Sequence, residues 1–178
     1  MAPYLPLLHE CGNRIFGEDF RCRWEDISHW IKSPNLVYVA KMSPQRDRPS
    51  AVASALITSH EQNKMLLDGD IREFQLSPFP IGGGTPAMYY SSLFAEKASD
   101  RREVLLALRA ELRKKWQWKI PCDVFAIGCT APGRRHLLRR GFSPATDSPL
   151  STTGPRMYLG KHQIYRLRDS RRRFEWLR

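Results

Sequence analysis

The chain has 178 residues, 42% of them apolar and 26% charged, with a formal net charge of +11. That length suits a single domain with a sizeable core. No apolar run approaches the roughly 20 residues of a membrane-spanning helix, and the N-terminal residues lack the basic start and apolar stretch of a secretory signal.

A single domain over 1–167 with a basic tail over 168–178, and a cytosolic location, are therefore the expectations. Cys11, Cys22, Cys122 and Cys129 show no paired metal spacing and read as reduced thiols. Leu8, Cys11 and Ile15 recur at helical spacing and predict a short helix over 5–15, against Gly12. Trp24, Ile27 and Ile31 share one face of a helix over 21–32, which Ser33-Pro34 stops. Strands follow at Leu36–Met42 and Ala51–Thr58, joined as a hairpin by the polar stretch 43–49, and a third strand is expected at Asp70–Leu76. Gly82–Gly84 reads in two ways. Either it is a flexible turn before a strand Met88–Ala95, or it is a phosphate loop that runs into an added helix over Pro86–Lys97.

Leu105, Leu108, Leu112 and Trp116 predict a helix over 100–118, with Asp100 and Glu103 as its capping box. Val124–Cys129 is a short apolar strand. Thr130 then caps a helix over Pro132–Arg140, which Gly141 ends. The Pro/Ser/Thr-rich loop 143–155 is long enough to be mobile or to cover a site. Met157–Gly160 and Gln163–Leu167 are closing strands, and the tail is a helix or an extended arm. Cations gather on the two C-terminal helices and in the tail. They are either solvated faces or a field for a polyanion: coenzyme A, RNA or an acidic protein surface.

The order strand, helix, strand, short helix, closing on Gly133-Arg-Arg-His-Leu-Leu-Arg-Arg-Gly-Phe142, resembles the C-terminal half of the GNAT superfamily of acyl-coenzyme A-dependent N-acyltransferases. The resemblance implies an α/β (α+β) fold. It would be a mixed, mostly antiparallel, twisted sheet of about six or seven strands, with helices on both faces and splayed parallel strands at the centre. It further implies that pantetheine lies in that gap against the backbone of Leu93, Phe94 and Ala95. Pyrophosphate would sit on the amides of Ser99 to Val104, including that of Glu103, with Arg101 and Arg102 adding charge. The donor would be acetyl-coenzyme A or another acyl-coenzyme A, the acceptor an amine attacking directly, and no metal would take part.

The chain departs from the family at two places. The glycine positions of the usual Gln/Arg-x-x-Gly-x-Gly/Ala loop hold Ala98, Asp100 and Arg102, and the position of the usual Tyr acid holds Leu137. His136, beside it, is the candidate acid, and Glu73 is the candidate base. Trp24, His29 and Trp30 either face the acceptor or pack in the core. His9, His29, His60, His136 and His162 form no metal-ligand spacing. The competing expectation is a GNAT-fold protein without turnover that binds RNA or a protein partner through its basic helices and tail. A third reading joins the two, with an acceptor carried on RNA.

Overall fold

The structure, a computed structural model, describes residues 24–46, 48–71, 73–79, 85–115, 123–128, 130–145 and 163–167. In chain order its elements are α1 (Trp24–Ile31), β1 (Leu36–Met42), β2 (Pro49–Ser59), α2 (His60–Asp68), a 3₁₀ turn (Glu73–Gln75), β3 (Pro86–Ala95), α3 (Ala98–Lys115), β4 (Val124–Gly128), α4 (Ala131–Arg139), β5 (Ser143–Pro144) and β6 (Gln163–Leu167). The expected helix over 5–15, the Gly82–Gly84 loop, Trp116 and the residues after it up to Trp118, the four cysteines, the strand 157–160, the loop beyond 145 and the tail lie outside the described residues.

The six strands form one mixed sheet in the order β1-β2-β3-β4-β6-β5. β3 and β4 run parallel and every other neighbouring pair is antiparallel. β2 is buried along its whole length, which requires cover on both faces of the sheet, and its period-two alternation feeds two cores. Ala51, Ala53, Ala55 and Ile57 join Met88, Tyr90 and Val124 under Leu105, Leu108 and Leu112 of α3 and Leu137 of α4. Leu56 turns the other way, toward Tyr89, Phe125, Trp30 of α1 and Leu66 of α2. The helical stripe on α3 was legible because it is regular. Leu108 and Leu112 are fully buried, each contributing about 1.5–3 kcal/mol.

One expected strand is not a strand. Instead of extending over Asp70–Leu76, the chain forms α2 and then folds back on it. Ser59 caps α2 by accepting from Gln62 N, and Gly69, at φ 82°, closes it in the left-handed region. Asp70 N and Ile71 N then donate to Met65 O at 2.9 and 3.4 Å, and that tether to the helix end prevents extension. Glu73 consequently sits in a 3₁₀ turn, not on a strand. The added-helix reading of Pro86–Lys97 also fails, because Pro86–Ala95 pairs with β2 as a strand. α4 begins as expected on Thr130, which accepts from Gly133 N, and the chain leaves it through Gly141 at φ 83°.

Polar contacts fix the start of β4. Asp123 accepts from Arg166 on β6 at 2.6 Å and lies 3.2 Å from His60 Nδ1, while its backbone carbonyl accepts from Met88 N at 3.0 Å. Among the described residues no helix is long and apolar enough to cross a membrane.

Candidate active site

The parallel ladder at the centre of the sheet is short. It joins Met88 to Val124, Tyr89 to Phe125 and Tyr90 to Ala126, and there it stops, although β3 continues to Ala95 and β4 to Gly128. A β-bulge lies at the same place. Between the pairs Ser54↔Ser92 and Leu56↔Tyr89, β2 contributes Ala55 alone while β3 contributes Tyr90 and Ser91. An extra residue bends its strand and sharpens the local twist, and the β3/β4 pairing ends there. The Ser91 hydroxyl, 2.6 Å from that of Ser54, pins the bulge to β2.

Beyond the bulge, β3 stays paired with β2 up to Ala95↔Ala51. Glu96 N donates to Ser50 O at 2.9 Å. Alternate residues of an antiparallel strand point their backbone groups to opposite edges, so Phe94 and Ser92 face β2. Leu93 and Ala95 therefore present N–H and C=O to the edge that β4 has left. Glu96 is held by Arg48 at 2.7 Å and Arg46 at 3.4 Å, which fixes the end of the strand.

The first bond of α3 runs from Arg101 N to Lys97 O at 3.1 Å. The amides of Ala98, Ser99 and Asp100 therefore precede the first intrahelical donor, Arg101 N, and form the positive end of the helix. Ser99, Arg101, Arg102 and Glu103 are exposed and Val104 is buried. Asp100 does not form the expected capping box. It is the third residue of the helix, and its carboxylate turns to Lys41 of β1, at 2.8 Å, instead of closing on the helix start. The hydrogen bond from Lys41, then that from Ser50, hold the Asp100 carboxyl below its ordinary range. Lys41 also takes Glu103 at 2.7 Å, so both acids of the first turns are drawn toward β1.

Three elements converge on Tyr90, the last residue paired with β4. Burial raises its phenol well above the ordinary value, with the charges of Arg140 and Arg101 opposing that rise. Arg140, at the end of α4, is half-buried, and burial is the main cause lowering its own value, with Arg101 adding to it. His136 is pushed down to about 4, first by burial and then by Arg140, Arg101 and Arg139. Its imidazole is neutral at pH 7, a weak base that can accept a hydrogen bond but carries no imidazolium proton to release.

The opposite face of the sheet carries the candidate base. Glu73 is partly exposed as a residue, but its carboxyl group is enclosed by protein. That burial raises it to about 7 against a hydrogen bond from Tyr89. α1 fixes the segment that carries it: Trp30 Nε1 donates to Leu76 O, and His29 Nε2 lies 3.2 Å from the same oxygen. Trp30 is buried in the core, the packing alternative of the two open to it. The side chain of Trp24 lies outside the described residues.

Sequence reasoning named Leu93, Ala95, Arg101 and His136, which surround the end of the parallel ladder, and Glu73, on the other face. It missed Tyr90 and Lys41, and it counted Arg140 only among the cations of the short C-terminal helix. Lys41 and Asp100 are 59 positions apart in the chain, and nothing local marks them as partners. Among the described residues no group of three or more His, Cys, Asp or Glu could hold a metal ion. No family model matches the chain, and no curated protein aligns with it significantly.

Proposed function

We propose that the chain is a GNAT-like N-acyltransferase that moves an acyl group from acyl-coenzyme A to an amine by direct attack. The observation that carries this reading is the parallel pair β3/β4, which stops after three residue pairs at a bulge, with the exposed start of α3 following directly on β3. An unpaired strand edge beside a positive helix end is what an amide-bearing arm ending in phosphates requires.

The residues present fit that donor. Leu93 and Ala95 can bond the arm, and the amides of Ala98, Ser99 and Asp100 can receive phosphate. None of the ion pairs among the described residues involves Arg101, Arg102 or Arg140, so their charge is available to an anion. Loop glycines are absent, and guanidinium groups take over part of their work. Acyl-coenzyme A supplies the activated acyl carbon. Glu73, with a pKa of about 7, is suited to take the proton that the amine loses as its nitrogen bonds that carbon and the carbon–sulfur bond breaks.

Isothermal titration with acetyl-coenzyme A tests the reading. Binding in the micromolar range, weakened at least tenfold by Arg101→Ala with Arg140→Ala, is expected; no binding at millimolar ligand overturns it. A second reading, a binding module without turnover, is favoured by Leu137 in the acid position and a neutral His136. Binding without acyl transfer to any of a panel of primary amines would select it.

A further inference from the structure

Arginine supplies every cation of α4 and of the residue that ends it. Arg134, Arg135, Arg139 and Arg140 fall within seven residues, and 131–140 contains no carboxylate. The neighbouring helix does not compensate them. Its acids are Asp100, Glu103 and Glu111, and each is paired with a lysine, the first two with Lys41 and the third with Lys114 at 2.7 Å. Arg134 turns back to donate to Gly128 O at 3.3 Å, and Arg140 is half-buried beside Tyr90. Arg135 and Arg139 remain, both exposed. They are four residues apart on one helix and so have their Cβ atoms about 6 Å apart on the same face.

We propose that the outer face of α4, through Arg135 and Arg139, binds the phosphate backbone of a nucleic acid. Two guanidinium forks at this spacing each engage a phosphate bidentately, and a nucleic-acid strand offers a charge about every 3.4 Å of its axis, dense enough for both at once. An acidic protein surface offers no such regular row, and like-charged arginines held together without acids on their own helix are relieved most by a polymer of anions. Base edges are not read by two such contacts, so recognition is of the backbone and not of sequence. The inference stands on the charge distribution and does not rest on acyl transfer.

Fluorescence anisotropy of the full chain with a labelled RNA duplex, a DNA duplex of the same sequence and a polyglutamate peptide tests it. For RNA, a Kd between about 1 and 100 μM at about 50 mM salt is expected, weakening with salt at a log–log slope of at least about 2. Arg135→Glu with Arg139→Glu should lose at least tenfold in affinity and reduce that slope by roughly 2, about 0.9 for each phosphate contact. The melting temperature and the acetyl-coenzyme A affinity of that variant should be unchanged. Comparable affinity for the DNA duplex supports backbone recognition, and a preference for RNA supports it while naming the source. No binding to either duplex, an unchanged slope in the double variant, or polyglutamate binding as tightly as RNA overturns the inference. Coenzyme A affinity is read in the same samples, so failure here is distinguishable from failure of the acyltransferase reading.

Discussion

Replacing Glu73 by Gln isolates what enclosure does to one carboxyl group. Burial raises the Glu73 pKa from 4.5 to about 7, so the folded chain holds that proton more tightly than the unfolded chain does. A group of this kind favours folding on the acid side. Its contribution is complete below the unfolded value, declines as the pH rises through about 7, and leaves an enclosed carboxylate above that. The rise from 4.5 to about 7 sets a ceiling of roughly 3 kcal/mol. Because the residue is partly exposed, water reduces this, and about 2 kcal/mol is the expected effect. Gln keeps the shape and an acceptor for the Tyr89 hydroxyl but cannot ionise. Urea denaturation should therefore find the two proteins alike near pH 4.5 and the variant more stable by about 2 kcal/mol near pH 8.5. In the proposed reaction, kcat/KM of the parent should rise with an apparent pKa near 7, and the variant should lose that limb. Stability curves that stay parallel from acid to alkaline pH would refute the reasoning.

Three further outcomes follow from the packing. A Cβ at Gly128 would lie 2.6 Å from both Arg134 Cγ and Tyr165 Cε2; the arginine stem can swing away but the buried ring cannot, so Gly128→Ala should cost about 1–3 kcal/mol in chemical denaturation. Asn63 is fully buried, and neither its Nδ2 nor its Oδ1 has a hydrogen-bond partner among the described residues. Asn63→Leu should therefore stabilise the protein by about 1–3 kcal/mol, and a loss of stability would mean that the amide is satisfied by bound water or ligand. An NMR titration should place the His136 midpoint near 4, with Arg140→Gln raising it only part of the way to the ordinary value because burial is the larger cause.

What was legible in the sequence was what repeats. The run of small and apolar residues in β2, the leucine stripe of α3 and the Thr130 and Gly141 ends of α4 each impose a structure on their own residues. α2 was missed because His60 to Asp68 carries its apolar residues bunched at Met65, Leu66 and Leu67, with no stripe. Its marks are at its ends, where Ser59 precedes Gln62 by three positions and Gly69 follows. Asp70–Leu76 looked extended because Ile71, Phe74 and Leu76 nearly alternate, but hydrogen bonds back to Met65 O decide the path there. Of the candidate site, single residues on the strand edge and the two C-terminal helices could be named from the sequence, but their meeting could not. A bulge depends on how two strands pair, and the meeting of Tyr90, Arg101, His136 and Arg140 depends on three elements packing together. Neither leaves a local pattern.

Charge is sorted across the sheet, and the sorting bears on the missing acid. Arg101 and Arg140 flank Tyr90 on the α3/α4 face, while Glu73 bonds Tyr89 on the α1/α2 face. Successive residues of one strand point to opposite faces, so the two groups of opposite sign lie on either side of the place where β3 and β4 part. Under the proposed reading, an anionic donor meets cations on its own side and an amine meets a carboxylate on the other. At an ordinary carboxyl value near 4.5, Glu73 would be a poor match for a proton taken at neutral pH; at about 7 it is close to one. The leaving side needs less help than a family with a Tyr at the Leu137 position suggests. Nearby guanidinium charge lowers the pKa of a thiol and so stabilises it as it departs unprotonated. A neutral His136, kept so by burial and the same arginines, neither adds to that charge nor needs to give up a proton.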